Sequence, residues 1–204
     1  MLLDSTTLDT RLAYQLLTHA VSPRPIAWVS TRSPAGVVNL APFSFFTVAS
    51  ISPPVLLFTQ VNPRDGHTKD TLRNLQANGE CVVNIVTHAQ AEAMNQSCAP
   101  YPPEVSELTA AGLGTAVLPW LDVPGVAGAP IHIACRLRQQ LQISPAAQSG
   151  TVVLLDVLGF AIDDQLMQNG QLCAEQLDVI GKMGADSYCT TRQRFELARP
   201  ALPV

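Results

Sequence analysis

Charge is scarce in this sequence. Asp, Glu, Lys and Arg make up 14% of its 204 residues, against 47% hydrophobic, and the formal net charge is −4. The 12 Lys and Arg are scattered, apart from the pairs Arg136/Arg138 and Arg192/Arg194, so no basic stripe is offered to a phosphate backbone and no nucleic acid partner is expected. So little surface charge predicts instead that part of the apolar surface is covered by another copy of the chain. Long apolar runs are missing too. No stretch approaches the roughly 18 residues of a membrane span, and the opening MLLDSTTLDTRLAYQLL has no basic leader, so the expectation is a cytoplasmic protein with no membrane segment. Closely spaced cysteines are absent. Cys81, Cys98, Cys135, Cys173 and Cys189 form no C-x-x-C and have no His at zinc-site spacing, which argues against a metal site and leaves reduced, mostly buried thiols. Neither G-x-G-x-x-G nor G-x-x-x-x-G-K-[ST] occurs, so any nucleotide has its phosphate held by another device.

What is present is alternation and punctuation. Leu8, Leu12 and Leu16, with Ala13, Leu17 and Ala20, recur at helical spacing and predict an amphipathic helix over 9–20, packed on a sheet and stopped by Ser22-Pro23. PIAWVST (25–31) and VVNL (37–40) flank Ser-Pro-Ala-Gly and read as a hairpin, and PVLLFTQV (54–61) reads as a third strand. After the strand ECVVNIV, Thr87 is followed three residues later by Gln90, a capping-box pattern that opens a helix over 87–94. SELTAAG (106–112) reads as a helical turn ended by Gly112. IHIACRLRQQLQI (131–143) alternates cleanly, with Ile131, Ile133, Cys135 and Leu137 on one side and His132, Arg136 and Arg138 on the other. TVVLLDVLGFAI (151–162) is apolar at nearly every position, as in a strand buried on both faces, and the two segments predict a long hairpin. About six strands with inserted helices and no β-α-β rhythm predict a mainly β fold with helical additions, a closed antiparallel barrel forming one domain over 1–204.

Two segments carry candidate chemistry. In NPRDGHTKDTLRNLQANGE (62–80), Leu72 and Leu75 mark an apolar helix side and Asn78-Gly79 a stop, with Thr68 or Gly66 as N-cap. Lys69, Asp70 and Thr71 then fall in the first turn, where free N–H groups, an ammonium and hydroxyls converge as an anion site; a solvated lysine beside a plain cap is the other reading. In NLAPFSFFTVASISPP (39–54), Phe43, Phe45 and Phe46 interleave with Ser44, Thr47, Ser50 and Ser52. Backbone N–H groups outside sheet pairing, small hydroxyls and nearby rings suit a flat heteroaromatic such as an isoalloxazine; on composition alone, three clustered phenylalanines are more often plain core. His132 is open between a group reaching a flavin edge or substrate carboxylate and a half-exposed strand histidine.

SPRPIAWVST, NLAPFSFF with its downstream Pro-Pro, KDTLRN followed by GECVVNIV, EAMN and the C-terminal RFELARP occur in this order from about residue 9 to 200. Together they resemble the flavin reductase-like, FMN-binding split-barrel family, the group of nitrilotriacetate monooxygenase component B and flavoredoxin-type proteins. The resemblance implies a homodimer of split β-barrels, each binding one FMN near the subunit interface. It implies that Ser44 and Phe45 line the isoalloxazine edge, that Trp28 and Ser30 border the ring and ribityl chain, and that Arg24 stands close to the same pocket. Thr59 and Asn62 are implied to reach the ribityl or phosphate, with Lys69 and Thr71 on the phosphate; Gly66-His67 is an insertion ahead of that loop. The activity implied is an oxidoreductase passing hydride from NADH or NADPH to flavin and on to free flavin or a partner monooxygenase. No catalytic residue is named, because the flavin makes the bonds. A non-catalytic FMN electron carrier is the alternative, and a barrel holding haem a third reading.

Overall fold

The computed structural model describes residues 1–201. Strands β1 (Ala27–Arg32), β2 (Val38–Phe43), β3 (Phe46–Ser50), β4 (Val55–Val61) and β5 (Glu80–Ile85) precede two short strands, β6 (Thr115–Ala116) and β7 (Gly125–Val126), and the long β8 (Ile131–Gln142) and β9 (Gly150–Ile162). Seven of them form one antiparallel sheet in the order β2-β1-β5-β8-β9-β4-β3. Its two edges, β2 and β3, are consecutive in the chain and separated only by Ser44-Phe45. Laid flat, seven strands would hold those edges roughly 29 Å apart, whereas three residue steps reach about 11 Å. The sheet therefore curls until its edges meet at Ser44-Phe45, a barrel closed at one corner and split along the seam beside it.

Period-two alternation gives two cores from one sheet. Ala27 and Val29 point into the barrel with Phe43, Phe58, Val83, Cys135, Val153 and Leu155, all buried. Phe43 packs on Phe58 with ring centroids 4.5 Å apart. Trp28 points outward, into a second core with Leu40, Val86, Met94 and Leu108. The helices are α1 (Thr10–Ala20), α2 (Asp70–Asn78), α3 (Ala91–Gln96) and α4 (Glu107–Ala110). Met94 of α3 and Leu108 of α4 cover the outer face of β1 and β2, and Leu72 and Leu75 of α2 enter the barrel core, plugging one mouth. Near the other mouth lie two ribbons, β10 (Met167–Gln168) with β11 (Gln171–Leu172), and β12 (Ile180–Lys182) with β13 (Tyr188–Thr190).

The hairpins fall where alternation and turn residues predict them; Gly36, at φ +86°, closes the first one. Four expectations are corrected. The first helix starts at Thr10 under an Asp9 cap, yet it does not seat an apolar face on the sheet: only Thr18 is buried, while Leu16 and Leu17 stay exposed. The Thr87/Gln90 capping box does not form. Thr87 makes no side-chain cap bond, and a single 3-10 turn, His88–Gln90, precedes α3. β9 is not buried on both faces; Thr151, Val153 and Leu155 are buried and their neighbours are partly exposed, because covering elements reach only part of its outer side. Nor is 39–54 free of sheet pairing: β2 and β3 take most of it and leave Ser44-Phe45 as the corner.

Candidate functional site

A cleft of about 600 Å³ opens where the Ser44-Phe45 corner, the start of α2 and the 97–101 loop meet. Its volume lies within the roughly 300–1,000 Å³ of small-molecule and cofactor sites. Ser44, Phe45, Thr59, Lys69 and Thr71 all line it, so five of the nine residues singled out in the sequence come together. At the corner, the backbone turns because β2 must become β3: Phe43 and Phe46 turn into the barrel interior, and Phe45 is left facing the cleft. Thr59 N–H donates to the Phe45 carbonyl at 2.8 Å and fixes the corner to β4.

Arg24 acts behind the corner. Its guanidinium is 5% exposed and donates to the Thr18 and Val21 carbonyls, to Met183 O at 2.9 Å and, through Nε, weakly to Ser44 Oγ at 3.4 Å. It lies 5.9 Å from the Phe45 ring centroid. A buried cation with its donors occupied by carbonyls sets the position of the corner; it is not open to an anion.

At the other end, α2 begins at Asp70 with Lys69 itself as N-cap, a residue whose side chain makes no cap hydrogen bond. Neither Thr68 nor Gly66 is the cap. A lysine at this position leaves the first-turn N–H groups without the side-chain oxygen that Ser, Thr, Asp or Asn would supply, and adds an ammonium beside them. Thr71, 1% exposed, accepts a hydrogen bond from Asn39 Nδ2 at 3.0 Å on its Oγ1, so its hydroxyl proton is left to donate. Two carboxylates stand near this cationic end. Asp70 is paired with Arg73, and Glu107, buried, accepts the Leu40 N–H at 2.9 Å while burial pushes its carboxyl above the usual range. Both arrangements reduce the repulsion an incoming phosphate would meet. An uncapped helix start with a lysine and a free hydroxyl, and an aromatic corner within the same cleft, fit a phosphate-bearing flat ligand of the flavin type.

The remaining predicted residues lie outside the cleft. Asn62 is tied down elsewhere, its Nδ2 donating to the carbonyls of Ser144 and Ala146, both at 3.1 Å. Ser30 is buried on the outer face of β1 and donates to Pro124 O at 2.6 Å. Trp28 is also on that face, its indole Nε1 donating to Ser97 Oγ at 2.9 Å; since Ser97 lines the cleft, Trp28 backs its wall. His132 is buried on the same outer side, with Nε2 donating to Val126 O at 2.8 Å, so it neither stands half-exposed nor faces the cleft. Residues that the sequence did not single out also line the site: Glu107, Asn39, Tyr14 and Tyr101. Asn39 opens the 39–54 segment, whereas Glu107 and Tyr14 carried no signal.

The fold and sequence have counterparts among known proteins. A protein of Halalkalibacterium halodurans is 37% identical over 207 residues, covering 99% of this chain and 98% of its own. The crystal structure of nitrilotriacetate monooxygenase component B from Bacillus cereus superposes with a TM-score of 0.91 at 30% identity, covering 97% of this chain and 98% of that one. That of Pseudomonas fluorescens 2-nitrobenzoate 2-nitroreductase gives 0.90 at 27% identity, covering 100% and 99%. With residues 19–176 matching the flavin reductase like domain, the chain belongs to the flavin reductase-like split-barrel family.

Proposed function

We propose that this protein is an FMN-binding oxidoreductase that takes electrons from NADH or NADPH and delivers them to free flavin or to a partner monooxygenase. The observation that carries the reading is the shared cleft: an aromatic corner at Ser44-Phe45 and the uncapped, lysine-marked start of α2 border one cavity of about 600 Å³. When bound, the flavin supplies the redox chemistry, accepting hydride and passing electrons on. The chain's own residues orient and hold. Lys69 and the first-turn N–H groups of α2 would hold the phosphate, the Thr71 hydroxyl would donate to it, and Phe45 and the corner backbone would border the ring. The positions of Trp28, Ser30, Arg24 and Asn62 give them supporting roles, behind the wall, the corner and the adjoining loops.

Likeness to a monooxygenase component B supports delivery to a monooxygenase partner. Within the described residues no helix is long and apolar enough to cross a membrane, and the reading places a homodimer, one domain per chain over 1–204, in the cytoplasm. The test is anaerobic mixing of FMN-loaded protein with NADH and with NADPH while flavin absorbance is followed. Bleaching with either donor is expected. No bleaching with either would leave the non-catalytic FMN carrier, and a protein that takes up no flavin would remove both.

A further inference from the structure

The cleft carries one acid whose charge runs against the anion it is read to hold. Glu107 opens α4, is 7% exposed and lines the cleft. Asn39, Asp70 and Glu107 also line a smaller cavity of about 260 Å³ beside α2, so these three form the wall between the two spaces, next to the first turn of that helix. Hydrogen bonds hold the wall in place. Glu107 Oε2 accepts the Leu40 N–H at 2.9 Å, and the adjacent Asn39 donates to Thr71 Oγ1 at 3.0 Å. Glu107 Oε1 makes no hydrogen bond among the described residues and is not walled in by neighbours, so it borders open space.

Among the described residues no cation pairs with this carboxyl. β2 brings no ionisable side chain to it, and Glu104, in the loop before α4, is exposed and lines neither space. Arg73 of α2 is paired with Asp70, and His67 with Asp65. Lys69 stands at the helix start, where the phosphate is read to sit. Across the cleft, Tyr14, Cys98 and Tyr101 contribute two phenols and a thiol but no fixed charge. Burial accordingly raises the Glu107 carboxyl above its ordinary range, against the pull of the Leu40 N–H. A glutamine would accept the same N–H without the cost of burying an unpaired carboxylate. What a carboxyl adds at this position is the ability to change its charge.

A phosphate dianion entering the cleft brings a second negative group to the site, and like charges sharing a site drive one of them to bind a proton. We propose that Glu107 takes up a proton from solvent when FMN binds, and that its hydroxyl then donates to the phosphate end of the ligand. Only an O–H bond forms in this step. The neutral carboxyl becomes a donor where the carboxylate could only accept, and its partner is a charged oxygen, the stronger class of hydrogen bond. Flavin is then held more tightly at lower pH and released more readily as pH rises. The inference rests on the flavin reading and adds to it the proton that accompanies flavin exchange.

Calorimetric titration of FMN into the flavin-free protein, repeated at each pH in buffers of different ionisation heat, counts the protons taken up. A phosphate gripped by an ammonium and helix N–H groups loses a proton on binding, and above its second pKa of about 6 it has none to lose, so the ligand cannot supply a net uptake. Uptake of a large fraction of one proton is expected within about pH 6.5–8.5, with FMN affinity falling by up to about tenfold per pH unit there. Glu107→Gln should bind FMN without that uptake and keep only the pH dependence of the phosphate itself. Riboflavin, which has no phosphate, should bind the parent protein without uptake, a comparison that stands even if Glu107→Gln does not fold. No uptake with FMN at any pH, equal uptake with riboflavin, or uptake kept in Glu107→Gln overturns the proposal and leaves the flavin reading in place. A parent protein that takes up no FMN at any pH removes both.

Discussion

Lys69 and Glu107 face the same cleft with opposite electrostatic duties, and each can be tested by one substitution. If Lys69 makes a charge-assisted bond to phosphate, Lys69→Ala should weaken FMN binding by about 1–3 kcal/mol, read from quenching of flavin fluorescence on titration. Unchanged affinity would move the phosphate away from α2. Glu107 is held above its usual value of 4.5 chiefly by burial, with the Leu40 N–H pulling it back. A carboxyl raised on folding binds more protons in the native state than in the unfolded chain. Its contribution is therefore fully present below about 4.5 and declines as pH rises through the raised folded value. Glu107→Gln keeps an acceptor for Leu40 and removes the titration. The variant should accordingly gain stability relative to the parent as pH rises above about 4.5, measured as the difference in urea midpoints. A difference that stays flat as pH rises above about 4.5 would mean that folding leaves the Glu107 carboxyl at its ordinary value. Glu107 does not stand out in the sequence, because a lone Glu opening a short helical turn looks like any first-turn acid; only the fold turns it inward.

At the scale of elements, punctuation and alternation were informative and covering layers were not. The β8–β9 hairpin and β1–β2 turn follow from period two and from Gly36, since turn chemistry is local. The end of α2 is equally local: Gly79 sits at φ +74° with its N–H bonded to Leu75 O at 3.0 Å. A Cβ there meets no neighbour, so the cost of Gly79→Ala is conformational alone, about 1 kcal/mol or more by denaturant unfolding. A stability unchanged within a few tenths would show that α2 does not need its left-handed end. The start of α2 was harder to place, because Thr68 is the better capping residue by type, yet the chain reaches helical geometry only after Lys69. Likewise Trp28 and Ser30 belong to the SPRPIAWVST motif that carries the family resemblance but lie on the outward phase of β1. Motif membership does not give the side of the strand; packing of α3 and α4 does.

For the molecule as a whole, closure is the property that no local segment announces. Phe43, Phe45 and Phe46 read as one aromatic cluster in sequence, but the corner divides them, two into the barrel and one into the cleft, once the sheet's edges are drawn together. The same closure leaves the mouth opposite α2 open. There an almost wholly apolar hollow of about 680 Å³ is lined by Phe46, Ile85, Ile133, Phe160 and Ile162 among others, with Phe160 52% exposed. Elsewhere Val48 and Ile51 are 56% and 82% exposed. Exposed apolar area on this scale, on a chain only 14% charged, is what a second subunit would cover. The expected state is thus a dimer of about twice the 21.8 kDa chain mass, measured by light scattering coupled to size exclusion. Its mass should hold when salt is raised, because apolar burial rather than ion pairing would bind the subunits. A mass of 21.8 kDa at micromolar protein would leave this hollow facing water and remove the homodimer from the reading, and dissociation by salt alone would assign the contact to charged groups instead.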